Sequence, residues 1–207
     1  MPSRNTVREF TAEQYYHIFN RGVENRIIFV DDQDYIVFIG LLKKYLSGQN
    51  HNKNNRHKFL PLTGELELLA YCLMPTHFHL LVFQKTEDAI VKLMRRVAIG
   101  YVMYFNDRYK RVGGLFQARY KAALIDEEAY LHHISRYIHL NPKEYKQWPY
   151  SSLQYYQKRQ SAKWLNTQRI LDLFNSRREY LDFVADYEAN KRELDLLKWQ
   201  LANGSEL

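Results

Sequence analysis

Between Tyr71 and Gln84 the chain reads Tyr-Cys-Leu-Met-Pro-Thr-His-Phe-His-Leu-Leu-Val-Phe-Gln, two apolar runs parted at Pro75. His77 and His79 open the second run. Side chains alternate faces along a strand, so the two histidines share one face while Phe78, Leu80 and Val82 share the other. Two imidazoles on neighbouring same-face positions can hold one metal ion. A His-x-His pair alone also fits a half-exposed strand face, so the rest of the chain has to decide.

The flanking sequence sets that strand in a repeating pattern. Residues 15–21 (Tyr-Tyr-His-Ile-Phe-Asn-Arg) are aromatic and β-branched and stop at Gly22, which predicts a first strand. Its His17, Phe19 and Arg21 share one face. Asp31 or Asp32 can cap a helix carrying Ile36, Phe38, Ile39, Leu42 and Leu46 at helical spacing. Residues 48–60 are polar and irregular and read as a loop. Strands follow over 66–72 and 78–83. Thr86 is then placed to cap a helix with a stripe of Ile90, Leu93, Met94, Val97, Tyr101, Tyr104 and Phe105, a spacing that belongs to a core. A fourth strand is expected over 115–124 and a helix over 127–140, stopped by Pro142.

The order β-α-β-β-α-β followed by a helix predicts an α+β, ferredoxin-like antiparallel sheet with two helices on one face and the other face free. Its first and third strands are central neighbours, which sets His17 beside the His77 and His79 strand. The expected division is a domain over 1–158 and a helical extension over 159–207. In the extension, Ser176-Arg177-Arg178-Glu179 forms a capping box that starts a helix, and 191–201 reads as further helix.

Composition narrows the partner and the compartment. The chain has 207 residues, a formal charge of +7, 17 tyrosines, 11 phenylalanines and 3 tryptophans. Cations neutralise phosphates and rings stack on unpaired bases, so this balance suits nucleic acid. The one cysteine, Cys72, excludes an internal disulfide or a cysteine-based zinc site and reads as a buried thiol. Residues 1–10 lack a signal-peptide core and no run reaches membrane-spanning length, so a cytoplasmic protein with no membrane partner is expected.

Chemistry gathers on the last core helix, where Tyr130, His133, Tyr137 and Asn141 recur at spacings of three and four. A phenol is a poor nucleophile at neutral pH, and it becomes useful against phosphorus when a metal withdraws charge from the phosphoryl oxygens. Two imidazoles, a carboxamide and a tyrosine therefore make a device for phosphodiester transesterification. By pattern alone, Tyr137 reads better as a buried helix aromatic.

The run from Tyr71 through His77 and His79 to Val82 resembles the metal-binding strand of the one-tyrosine HUH transposases. Arg136-Tyr137-Ile138-His139-Leu140-Asn141-Pro142 is similar to the catalytic-helix signature of their REP-associated tyrosine transposase branch. The block from Tyr15 to Gly22, and Gly114-Leu115-Phe116-Gln117-Ala118-Arg119-Tyr120-Lys121, resemble further blocks of that branch, in the same order. The likeness covers roughly residues 10–155. It implies cleavage and rejoining of single-stranded DNA at hairpin-bearing sites through a 5′-phosphotyrosine and a free 3′-hydroxyl. It implies His77 and His79 as metal ligands, Tyr137 as nucleophile and Tyr130 as its rival. Asn141 stands where related insertion-sequence transposases place a glutamine ligand, which keeps a carboxamide oxygen on a shorter arm. Magnesium or manganese is the implied ion, and imidazole suits manganese better.

For DNA contacts the candidates are Arg21, Arg95, Arg96, Arg108, Lys110, Arg111, Arg119 and Lys121, with Tyr120 and Tyr109 as stacking platforms. The partner is single-stranded or hairpin DNA, and the protein a monomer or homodimer. Two other readings stay open: a hairpin-binding protein of the same ancestry that no longer cuts, and a hydrolase in which His17 joins the histidine pair and water attacks.

Overall fold

The computed structural model describes residues 10–47, 60–126, 128–158 and 162–186. The loop expected over 48–60 (all but its last residue) and the helix expected over 191–201 lie outside them. Strands β1 (Gln14–Arg21), β2 (Leu66–Met74), β3 (His77–Gln84) and β4 (Lys121–Ile125) form one sheet in the order β2-β3-β1-β4, every pair antiparallel. Helices α1 (Asp32–Leu46) and α2 (Ala89–Arg108) complete the ferredoxin-like βαββαβ order that the sequence predicts, with β1 and β3 at the centre.

The helix starts follow from where orphan backbone donors find partners. Asp31 caps α1 by accepting from the N–H groups of Gln33 (3.1 Å) and Asp34 (3.4 Å). Helix α2 begins at Ala89, later than Thr86, and the expected cap is replaced. Gln84 at the end of β3 takes the Ile90 N–H on its Oε1 at 3.0 Å, while Asp88 makes no side-chain cap.

Ile18, Phe78, Leu80 and Val82 pack beneath α1 and α2 with Phe38, Leu42, Leu93 and Val97, all buried. The opposite face is not free, contrary to expectation. Helix α3 (Glu128–His139) crosses it and sets Leu131, Ile134 and Ile138 against Leu81, Phe83 and Cys72. Each such buried aliphatic contributes about 2 kcal/mol, so an apolar stripe of this kind does not stay in water when a strand face is within reach. A bulge between Leu68 and Ala70 turns both Leu69 and Ala70 toward this second core and widens the platform under α3.

Strand β4 is shorter than predicted. Residues 115–120 leave the ladder, and they are tied to the end of β1 by a Gly22–Phe116 bridge. That bridge consists of the bonds from Gln117 N–H to the Arg21 carbonyl (2.9 Å) and from Val23 N–H to the Leu115 carbonyl (3.0 Å), and the Asn20 side chain adds one to the Ala118 carbonyl (3.0 Å). Gly22 sits where the chain turns against itself, since a Cβ there would collide with the Arg26 carbonyl.

Past Pro142 come α4 (Leu153–Gln157), α5 (Gln168–Leu171) and α6 (Arg177–Ala185). Ser176 accepts the Glu179 N–H at 3.1 Å to start α6, half of the capping box read from the sequence, while the Glu179 carboxylate takes the Asn175 N–H at 2.8 Å. Trp164 and Leu165 join the core under α1 and α2; Ile170, Leu171, Tyr180 and Val184 join the core under α3.

Candidate metal and nucleophile site

Neighbouring central strands bring three imidazoles together. In the β1–β3 register Phe19 pairs with His79 and Arg21 with His77. His17 lies one step along, and its Nε2 is 2.9 Å from Nδ1 of His79. The two rings stack at 5.1 Å, 14° from parallel. Both are buried, at 1% and 6% exposure, because α3 roofs this face; the sequence-based expectation of histidines on an uncovered face is corrected here. His77, nearer the rim, is half-buried. Its Nδ1 meets the Thr76 hydroxyl at 3.0 Å, and its Nε2 faces Oδ1 of Asn141 at 3.0 Å.

The fourth group comes down from the roof. Tyr137 in α3 sets its ring edge-on over His79 (5.4 Å, 80°) and His17 (6.0 Å, 86°). Asn141 follows the end of α3, where its N–H reaches the Ile138 carbonyl at a long 3.4 Å. His17, His79, His77 and Tyr137 line one cleft of about 570 Å³ with Arg21 and Lys121.

Burial sets the charge state of these groups. It pushes His17 down to about 3, with no charged neighbour contributing. It lowers His79 well below the usual imidazole range, helped by the neighbouring imidazoles and Arg21. His77 is lowered by burial and Arg21, against a raising contribution from Asn141. All three imidazoles are therefore neutral at neutral pH, the form that offers a lone pair to a metal. Burial raises the Tyr137 phenol above its ordinary value, while Asn141 and Arg21 pull it back.

Among the described residues no cluster of three or more histidine, cysteine, aspartate or glutamate side chains could hold a metal. His77 and His79 nevertheless line one cleft, with the Asn141 oxygen 3.0 Å from His77 Nε2, and neutral imidazoles with a carboxamide suit an intermediate ion such as manganese. The residues fit the group, provided substrate or solvent oxygens fill the remaining positions.

The structure divides the basic candidates. Arg21, Arg119 and Lys121 line the cleft, and Lys121 Nζ lies 5.9 Å from the Phe19 ring. Arg95, Arg119 and Tyr120 line a second, largely apolar hollow of about 490 Å³ with Phe78, Met94 and Phe116. Asn20, Ala118 and Arg119 border both. The others lie elsewhere. Arg108 is held by Asp31 (2.6 Å), Asp34 (3.0 Å) and the Tyr104 hydroxyl (2.7 Å). Arg96 donates to the Leu60 carbonyl at 2.7 Å, Lys110 pairs with Asp107 at 3.5 Å, and Arg111 reaches Asn106 at 3.4 Å. Tyr109 donates to Asp34 at 2.9 Å. Tyr130, the rival to Tyr137, packs at the margin of the second core, outside the cleft lining. Sequence reasoning placed His17 beside the pair but missed its bond to His79, and it missed Gln117 in the cleft wall altogether. The signal for His17 was its same-face position on the neighbouring strand; nothing local marked Gln117.

Residues 35–141 match the sequence profile of the family described as Transposase IS200 like. A solved structure of a REP-associated tyrosine transposase bound to a REP hairpin has a TM-score of 0.54 at 14% identity, covering 73% of this chain and 83% of that one. A candidate transposase from Deinococcus radiodurans, at 19% identity over 65% of this chain and 95% of its own, has a TM-score of 0.37, too low to bear on the fold. Among curated proteins no sequence matches. The match spans just over half of the sequence, its fold is that of the first of these structures, and the chain belongs to the IS200-like transposase family.

Proposed function

We propose that this chain cleaves and rejoins single-stranded DNA beside a hairpin, with Tyr137 as nucleophile and His77, His79 and Asn141 holding a divalent metal ion. The observation that carries the reading is the meeting of Tyr137 with the histidine pair in one cleft whose rim bears Arg21, Arg119 and Lys121. The family supports strand cleavage and transfer, and the hairpin bound by the structurally similar transposase supports a hairpin partner.

The phenol oxygen of Tyr137 attacks the scissile phosphorus. A phosphotyrosine P–O bond forms, the bond to the 3′ oxygen breaks, and the phenol proton passes to solvent as the leaving 3′ oxygen gains one. A 3′-hydroxyl reverses the step and rejoins the strand. His77, His79 and Asn141 would hold the metal ion, which would supply polarisation of the phosphoryl oxygens. Arg21 adds fixed positive charge next to His77 and the phenol, which favours the phenolate. Arg119 and Lys121 neutralise flanking phosphates. Arg95 and Tyr120 extend the same surface to the second hollow.

The test is a covalent protein–DNA adduct on a hairpin-bearing strand. It should require divalent metal, vanish with chelator and vanish in Tyr137→Phe. Salt-sensitive binding with no adduct on any hairpin substrate would instead identify a protein that holds DNA without cutting. Cleavage that persists in Tyr137→Phe would point to water as the nucleophile. The place of His17 behind His79, with Nε2 engaged by that ring, favours a supporting role for it over a ligand role.

A further inference from the structure

Residue 141 ends the family match, yet the chain beyond it makes buried polar contacts with the helix that carries Tyr137. His139 stands two residues after Tyr137 and two before Asn141, and it is fully buried. Its Nδ1 lies 2.7 Å from the Tyr180 hydroxyl in α6, and its Nε2 lies 2.8 Å from Ser152 Oγ. Ser152 Oγ also accepts the Tyr71 N–H at 2.8 Å and lies 3.2 Å from the Tyr71 carbonyl.

A neutral imidazole has one donor and one acceptor nitrogen, and these contacts admit two arrangements of protons. If Ser152 spends its proton on the Tyr71 carbonyl, it accepts from the His139 Nε2–H, and Nδ1 accepts from the Tyr180 phenol. If Ser152 donates to Nε2 instead, the Nδ1–H goes to the Tyr180 oxygen, and the phenol donates to Ser135 Oγ at 3.2 Å, whose own proton goes to the His132 carbonyl at 2.8 Å. In both, each nitrogen of His139 is bonded. Burial keeps the imidazole neutral, which is the state this chain of bonds requires. One turn back along α3, the Arg136 guanidinium lies 4.0 Å from the Phe183 ring of the same helix α6.

Past the Leu140 N–H, which bonds the Arg136 carbonyl at 2.9 Å, the backbone of this turn is weakly held by itself. Helix α3 stops at His139, the Asn141 N–H bond is long, and Pro142 has no N–H to offer. We infer that His139 and Tyr180 are positioning residues: they lock the end of α3 to α6 and to β2, and so fix Tyr137 and Asn141 over the histidine pair. The inference rests on the roles proposed for Tyr137 and Asn141. It assigns the segment beyond the family match a share in the geometry of the site.

Tyr180→Phe removes the hydroxyl and keeps the ring. Tyr156→Phe is the matched control, because it loses a buried phenol bond in the same core, to the Leu69 carbonyl at 2.7 Å, without touching a nitrogen of His139. Mn²⁺ titration by electron paramagnetic resonance and the adduct rate at saturating DNA are measured for both. Tyr180→Phe is expected to weaken Mn²⁺ binding and to slow the adduct roughly tenfold, with unchanged DNA affinity in chelator. Tyr156→Phe is expected to stay close to wild type in both. Effects of equal size in the two variants, following their loss of melting temperature, would overturn the inference. Amide exchange at Leu140 and Asn141 in metal-free protein reads the position directly. Faster exchange in Tyr180→Phe than in Tyr156→Phe supports the inference, and equal exchange overturns it. That readout stands even if wild-type protein binds no Mn²⁺ or forms no adduct, results that sink the functional reading instead.

Discussion

Oδ1 of Asn141 faces Nε2 of His77 across 3.0 Å, joining the loop after α3 to the first residue of β3. Both atoms are able to donate to a metal, and no group of three or more histidine, cysteine, aspartate or glutamate side chains among the described residues could hold one without such help. Asn141→Ala should therefore lower Mn²⁺ affinity about tenfold, and Asn141→Gln, which keeps the oxygen on a longer arm, should lose less. Calorimetric titration of metal into DNA-free protein measures this; equal affinity in wild type and Asn141→Ala removes the residue from the ligand set.

Tyr137→Phe should abolish the covalent adduct and leave Mn²⁺ binding intact. Its hydroxyl is desolvated in the native chain, so thermal unfolding should change little, by about 1 kcal/mol or less. A large loss of stability would mean that the phenol is a structural anchor.

His77, His79, Asn141 and Tyr137 converge within one chain, so the nucleophile should serve its own histidines. Mixing Tyr137→Phe protein with His79→Ala protein should restore no adduct. Recovery on mixing would require a tyrosine delivered by a second copy.

Arg108 and Arg119 should behave differently although both looked like phosphate contacts. Asp34, 0% exposed, accepts from Val30 N–H, Tyr104, Tyr109 and Arg108. Removing that acceptor in Asp34→Ala should cost about 2–3 kcal/mol of stability. Arg108→Ala should mainly shift the melting temperature, whereas Arg119→Ala and Lys121→Ala should weaken DNA binding and each reduce the salt slope by about one. Filter binding across a salt series separates the two behaviours.

His17 and His139 are both pushed down to about 3 by burial, against 6.5 in the unfolded chain. Folding favours their neutral forms, so their share of stability is complete above 6.5 and is lost as pH falls from 6.5 toward 3. Within that window each costs up to about 1.4 kcal/mol per pH unit. Urea unfolding at about pH 7.5, 6 and 5 should show a steep decline, and His139→Gln should flatten it. A pH-independent midpoint between 7.5 and 5 contradicts the burial of both rings.

Alternation along β1 and β3 made the histidine face readable, and the strand–helix order made the sheet readable, because both periodicities are local. What lay on that face was not readable. Leu131, Ile134 and Ile138 announce an amphipathic helix, but no local pattern says which sheet surface it will cover. The same limit applies to Arg108, whose partners Asp31 and Asp34 are more than seventy residues away. The short β4 was missed because residues 115–120 have strand-like composition, and their partners at the end of β1, the Asn20 side chain among them, are about a hundred residues away.

That interruption has a mechanical effect. Residues 116–120 form a strap that walls both hollows, and the ties described above fasten it to the end of β1. Displacing it breaks none of the β1–β4 ladder, which starts only at Lys121. The partition between the two hollows can thus shift while the strand that carries His17 keeps both of its neighbours.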